Sequence, residues 1–325
     1  MIGILSARTQ TRSRHEVYRM PPVTVYYSPR YRLDWPGHVF PTEKYEGVHR
    51  RLAQSHPDAL KLFRETEPAA DDQILLVHTP AYLQRARRLA ETPALAYSEF
   101  EIPLSTASIE ALKYHTGGSI QACRDAVSRG GASINLGGGF HHAFADHGEG
   151  FCFINDVAVG VRSVQNEGLI ERAAVIDCDL HQGNGTARIF QQDASVYTFS
   201  IHQEHLYPLK QTSDWDIGLE DFTGDEDYLA ALENAVPKIL DRHRPQLVYY
   251  VAGADPYEGD QLGRLQLSID GLRRRDRIIF TNCKERSVPV AVGLAGGYAR
   301  EAEDVVTIHA NLILEALRVF VDDTG

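Results

Sequence analysis

The sequence predicts an α/β fold, a three-layer αβα sandwich with a central, mostly parallel sheet. Three observations carry that expectation. Short apolar runs alternate with longer stretches of helical periodicity from residue 21 onward. Several of the short runs are apolar throughout, as strands buried on both faces must be. Five of them end in glycine accompanied by His, Asp, Ser or Tyr. In open α/β sheets, ligands bind at the carboxyl ends of the strands, so five unrelated loops are expected to converge on one site.

Taken in order, residues 23–27 (VTVYY) open the sheet with β-branched and aromatic side chains that suit a pleated surface. Residues 47–64 carry a helical pattern, and the apolar run at 74–77 (ILLV) predicts a second strand. A helix is expected over 80–90. The longest helical stretch, 105–128, has Ser105 as its N-cap and Gly130 with Gly131 as its stop. Strand 132–136, helix 156–166 and strands 174–178 and 196–201 follow. Helix 225–243, strand 247–251, helix 270–286 with Asp270 as its N-cap, strand 288–293 and helix 300–320 complete the pattern. No repeat, low-complexity tract or linker interrupts it, so one domain is expected over residues 21–325. Residues 1–20 read as a poorly ordered extension.

Composition narrows the function. Lys and Arg number 33 against 44 Asp and Glu, a formal net charge of −11. A general nucleic-acid binder needs the opposite balance to displace counterions, so no nucleic-acid partner is expected. No apolar run has the length of a transmembrane helix, and no membrane partner is expected. Cys123, Cys152, Cys178 and Cys283 form no CxxC pair, which argues against a disulfide framework and a thiolate zinc site. A reducing, cytoplasmic setting is the simplest reading of that usage. Oligomeric state is not legible.

The polar residues at the strand ends carry the chemistry. Asp179 and His181 stand two apart, so in an extended segment both side chains reach one point. Asp255, ending another strand, supplies a third ligand. One imidazole and two carboxylates leave open positions on a zinc-type ion, as a catalytic site requires. Either aspartate alone would more simply cap a neighbouring helix; three convergent groups favour metal.

His141 and His142 are adjacent in a glycine-rich loop and suit two acid/base positions better than two ligands. Asp177 and Asn184 are available to orient the two rings through Nδ1. Tyr298 follows Gly296 and Gly297 and would donate to a developing oxyanion, or else pack on the next helix. Gly148, Glu149, Gly150 and Phe151 offer a close backbone approach and an aromatic wall. Neither GGGFHH nor GEGFCF completes GxGxxG, which counts against a dinucleotide site.

The motifs GGFHH (138–142), GFCFIND (150–156), DCDLHQGNGT (177–186), GADPYEGDxLG (253–263) and GGY (296–298) together resemble the histone deacetylase family. That family includes bacterial acetoin-utilisation proteins and acetylpolyamine amidohydrolases. HVFPTEKY (38–45), with the stretches at 207–229 and 263–276, is most similar to the class IV branch and its bacterial relatives. The resemblance implies an arginase/deacetylase fold. It places zinc, or Fe2+ as a substitute, on Asp179, His181 and Asp255. It makes His142 the general base and acid, His141 its electrostatic partner paired to Asp177, and Tyr298 the group that polarises the acyl carbonyl. It gives Gly150 the substrate amide N–H, and Phe151 the tunnel lining. It also implies a structural potassium ion on backbone carbonyls around Asp177, Asp179, His181, Ser200 and Ile201.

The chain departs from the class I pattern at two points. Asn184 stands where class I has Asp, and no counterpart is evident around residues 99–108 for the loop Asp that grips the substrate backbone. The opposite tunnel wall falls to Leu206 or Tyr207. The expected activity is removal of acetyl or longer acyl groups from lysine-like, polyamine or small amide substrates. A ureohydrolase of the arginase type would need further Asp and His ligands for two metals. A catalytically silent acyl-lysine-binding protein would not need His142, Tyr298 and all three ligands.

Overall fold

The computed structural model describes residues 22–322, so the extension expected at 1–20 lies outside the described residues. Its eight strands are β1 (Val23–Tyr26), β2 (Phe63–Arg64), β3 (Ala132–Asn135), β4 (Ala173–Asp177), β5 (Val196–Gln203), β6 (Trp215–Leu219), β7 (Leu247–Val251) and β8 (Val290–Gly293). They form one sheet in the order β2-β1-β3-β8-β7-β4-β5-β6, and every pairing is parallel. The helices are α1 (Lys44–Ser55), α2 (Asp71–Ile74), α3 (Pro80–Leu89), α4 (Pro93–Phe100), α5 (Thr106–Arg129), α6 (Asp156–Asn166), α7 (Asn184–Phe190), α8 (Asp225–His243), α9 (Ile269–Glu285) and α10 (Ala302–Leu317).

Strand periodicity divides the interior into two cores. Val175, Tyr249, Val251 and Ala291 point to the face covered by α5 and α6, where they meet Cys123, Val157 and Val161. Their neighbours Ile176, Val248, Tyr250 and Val292 point to the opposite face, which packs with Leu232, Ile279 and Ile313 of α8, α9 and α10. Side chains alternate with a period of two, so a strand apolar at every position feeds both layers. Burying each large apolar side chain contributes about 1.5–3 kcal/mol.

The sheet order explains the convergence expected from the sequence. β3, β8, β7, β4 and β5 are consecutive in the sheet. In register, Asn135 pairs with Gly293, Gly293 with Val251, Val251 with Asp177 and Asp177 with Ser200. The five carboxyl ends therefore lie side by side.

Several boundaries differ from expectation. The run at 74–77 is not a strand: Ile74 ends the short helix α2 and the chain turns through 75–77. The Ala70 N–H bonds Gln73 Oε1 at 2.9 Å, starting the turn, and only Ile74 is buried while Leu75 and Leu76 are exposed. The helix expected over 47–64 stops at Ser55, because Pro57 has no N–H to continue it. A 3-10 turn then leads into β2, which pairs with β1. Ser105 caps α5 by accepting from the Ser108 N–H at 3.1 Å, and Gly130 ends that helix at φ +76°. Ser268 rather than Asp270 caps α9, accepting from the Gly271 N–H at 2.9 Å; Asp270 already lies within the first turn of the helix. Helices α4 and α7 and strand β6 were not expected.

Candidate active site

Two residues past the end of β4, Asp179 turns its carboxylate toward the loops after β7 and β8. Its Oδ1 accepts the His181 N–H at 3.0 Å, and its Oδ2 accepts the Gly296 N–H at 2.9 Å. Asp255, four residues past β7, accepts the Leu180 N–H at 2.9 Å through Oδ1. The His181 Nδ1 lies 3.3 Å from Asp179 Oδ1 and 3.3 Å from Asp255 Oδ2. All three side chains are buried, with ligand atoms within 4.8 Å of one another. Among the described residues this is the one group of three or more His, Cys, Asp or Glu with that spacing.

These residues fit a divalent ion. Asp255 Oδ2 is buried without a hydrogen bond, so one lone-pair site is left for a cation. Backbone glycines make the space: a Cβ on Gly296 would lie 2.2 Å from Asp255 Oδ2, and one on Gly253 2.4 Å from Asp179 Oδ2. The donor set of one nitrogen and two oxygens suits zinc or iron(II). Burial, then the Asp179 charge, raises the Asp255 pKa. Burial opposes protonation of His181, but the flanking carboxylates outweigh it and bring the ring to about 10.

Behind the ligands, the β3 loop holds the two histidines. His141 Nδ1 is 2.7 Å from Asp177 Oδ2, and His142 Nδ1 is 2.8 Å from Asn184 Oδ1. Their Nε2 atoms approach each other at 3.1 Å. Burial would pull His141 down, yet Asp177 and Asp179 raise it to about 9. Burial drives His142 well below the ordinary imidazole range, and the charges of His141 and His181 drive it further. One ring is held charged and its neighbour neutral. Asp156 fixes the loop that carries both, accepting the Gly139 N–H at 3.0 Å and the Phe140 N–H at 2.8 Å.

A cavity of about 200 Å³ rises from this floor. Tyr298, Phe151, Tyr207, Leu206 and Leu262 line it, together with His142 and His181. The Tyr207 ring lies edge-on to His142 at 5.4 Å, and Phe151 edge-on to Tyr298 at 6.0 Å. Gly150 adopts φ +53°, and a Cβ there would meet His142 at 2.5 Å. The Gly150 carbonyl accepts from Cys152 Sγ at 3.2 Å. Ser200 and Ile201 are buried on β5, Ser200 beside Asp177 in register and hydrogen-bonded to His202 at 2.9 Å.

Four polar residues at the site have contacts that the sequence did not reveal. Lys44 of α1 is buried beneath it, with Nζ bonded to the Ala295 carbonyl and 3.4 Å from that of Gly296. Burial lowers its pKa to about 8. Its signal was a lysine followed by tyrosine at the start of a helix, where an exposed cation is the ordinary expectation. Asp260 accepts the Tyr298 N–H at 2.7 Å and so positions the phenol. Glu149 accepts the Asn184 side-chain N–H at 3.3 Å. Glu101, in the stretch where no acidic counterpart was evident, stands at the cavity mouth in a left-handed conformation that ends α4.

The histone deacetylase domain model matches residues 38–313. An uncharacterized protein of Picosynechococcus sp. is 37% identical over 91% of this chain and 99% of its own length. Histone deacetylase 2 of Arabidopsis thaliana is 30% identical over 87% of this chain and 76% of its own. In fold, the chain is similar to the crystal structure of an HDAC homolog complexed with SAHA. That likeness has a TM-score of 0.78 and 22% identity, covering 90% of this chain and 83% of the homolog. With the parallel sheet, the domain match and these relatives in agreement, the chain belongs to the histone deacetylase family.

Proposed function

We propose that this chain hydrolyses acyl amides at a zinc site formed by Asp179, His181 and Asp255. The substrate would carry an acetyl or longer acyl group on a lysine-like side chain, a polyamine or a small amine. Zinc, or iron(II) in its place, would supply Lewis-acid polarisation of the acyl carbonyl and the attacking water. The protein does the rest. His142, neutral and without a hydrogen on Nε2, takes a proton from the attacking water once that nitrogen is released from the His141 Nε2–H, and returns it to the departing amine. His141 stays charged and stabilises negative charge as it develops. Tyr298 donates its hydroxyl to the oxyanion, in the position that Asp260 fixes through the backbone. The Gly150 carbonyl accepts the substrate amide N–H once Cys152 Sγ gives it up, and Phe151, Leu206 and Tyr207 exclude water from the acyl carrier. A structural potassium ion on the backbone carbonyls around Asp177, Asp179, His181, Ser200 and Ile201 would brace the loops below.

The observation that carries this reading is the pair of imidazoles with opposite protonation preferences, 3.1 Å apart, beside a buried Asp-His-Asp cluster. A panel of ε-acyl-lysine peptides, acylated polyamines and small acyl amides tests it, assayed before and after chelation and zinc repletion. At least one class is expected to be hydrolysed, with activity lost to the chelator and restored by zinc. Hydrolysis of none, or hydrolysis indifferent to chelation, contradicts it.

A further inference from the structure

Asn184 contacts more than His142. Its amide lies between two groups, with Oδ1 2.8 Å from His142 Nδ1 and Nδ2 3.3 Å from Glu149 Oε2. An ionised carboxylate only accepts hydrogen bonds, so the Asn184 atom facing Glu149 must be the NH2. The carbonyl oxygen is then the atom left for His142. A carbonyl oxygen also only accepts, so His142 Nδ1 must carry the hydrogen and Nε2 must be bare. The same logic applies from the other end: Asp177 accepts from His141 Nδ1 at 2.7 Å, and the hydrogen between the two Nε2 atoms belongs to His141. One chain of hydrogen bonds therefore runs from Asp177 through His141, His142 and Asn184 to Glu149.

Asn184 cannot fix its own direction. An amide turned by half a revolution has almost the same shape, but it would offer NH2 to His142 Nδ1 and select the opposite tautomer. That tautomer has a hydrogen on Nε2, the nitrogen that must accept the proton of the attacking water. An aspartate at position 184 would have no such ambiguity, both of its oxygens being acceptors. The His141 Nε2–H holds the same tautomer only while it donates to His142 Nε2, which it must stop doing when that nitrogen takes the proton of the water; a second reference is needed because this chain has an amide at position 184.

We propose that Glu149 is a positioning residue: its carboxylate holds the Asn184 amide in one orientation and so fixes the His142 tautomer with a free Nε2. Glu149 reaches this place because Gly148 and Gly150 flank it in the GEGF loop and leave it half-buried between Asn184 and the cavity wall. The inference rests on the deacylase reading for its effect on rate, but not for its effect on the ring.

Four variants and two readouts test it. Glu149→Ala removes the acceptor and is expected to lower kcat by about 10- to 100-fold, as loss of such supporting partners does, with KM little changed. Glu149→Gln keeps an oxygen acceptor but brings a second reversible amide, and is expected to recover only part of that loss. In an Asn184→Asp background, Glu149→Ala is expected to cost nothing, because no amide is left to orient. The independent readout is nitrogen NMR of histidine-labelled, zinc-loaded full-length chain. His142 is expected as the single Nδ1–H tautomer in the wild type and as a mixture of tautomers in Glu149→Ala, with Glu149→Gln between the two. Tyr207→Phe, which removes a second polar contact of Glu149, is expected to leave the tautomer unchanged. An unaltered tautomer in Glu149→Ala overturns the proposal. So does a loss confined to KM and equal in Glu149→Gln, which would make the carboxylate a charge contact for substrate. If the wild type hydrolyses no acyl amide, the deacylase reading fails, and the ring-nitrogen spectra still decide the role of Glu149.

Discussion

His141 and His142 are neighbours in the chain and occupy the same loop, yet what lies behind each ring drives them apart. A carboxylate backs His141 at 2.7 Å and favours its charge; an amide backs His142 at 2.8 Å and holds it without that push. His142→Ala is therefore expected to reduce kcat more than His141→Ala. Asn184→Asp places a carboxylate behind His142 and raises its basicity. The ring must lose its proton to act as a base, so the acid limb of the pH–rate profile should move to higher pH. The rings are close enough to couple, and the limbs belong to the pair. Equal losses at both histidines with an unmoved limb would contradict this division. Tyr298→Phe is expected to lower kcat by about 100- to 1000-fold while zinc still binds, the cost of one oxyanion donor. Steady-state kinetics with a metal assay on the same sample checks it.

Secondary-structure elements place these side chains, and a fully buried arginine ties the elements together. Arg275 of α9 pairs with Asp276 and donates to the Gly253 carbonyl at 2.6 Å and the Cys178 carbonyl at 3.3 Å. Those carbonyls begin the loops that carry Asp255 and Asp179. Arg275→Met strands Asp276 as a buried charge and is expected to destabilise the protein by about 3–5 kcal/mol, read from denaturant midpoints. A loss below about 1 kcal/mol would make the pair incidental. Most of the strand ends at the site were legible because buried parallel strands are apolar at every position and stop at glycine. The expectation failed where the physics is less local. The run 74–77 has strand-like composition but exposes Leu75 and Leu76, and nothing in its residues says that only Ile74 has a partner. Strand β6 alternates half-buried and exposed positions at the sheet edge and has no long apolar run. Lys44 and Glu101 were invisible as site residues because their places depend on how α1 and α4 dock, not on any motif.

Across the whole molecule, the site is a concentration of buried negative charge. Asp177, Asp179, Asp255 and Asp260 are buried together, with His141 and Lys44 as nearby cations. A divalent ion offsets the remainder, so binding it should stabilise the fold. At a free concentration 100 times the dissociation constant the gain is about 2.7 kcal/mol, seen as a raised Tm that chelation reverses. Below about 10, His181 holds a proton that the ion must displace, so zinc affinity should rise with pH. For one displaced proton the slope is about tenfold per pH unit, measurable by competition with a chromophoric chelator. A slope of zero would mean that His181 is not a ligand. X-ray absorption should find nitrogen and oxygen ligands at roughly 2.0 to 2.2 Å, with no sulfur. A second ion at about 3.5 to 4 Å, as in two-metal hydrolases, would be equally contradictory.

The most direct measurement is a zinc titration of the metal-free chain, following release of acyl groups from the best substrate of the panel. Activity should rise in proportion to zinc and level off at one ion per chain. Asp255→Ala should stay inactive throughout. Activity without metal, saturation at two ions per chain, or an Asp255→Ala chain that responds like the wild type would contradict a deacylase built on Asp179, His181 and Asp255.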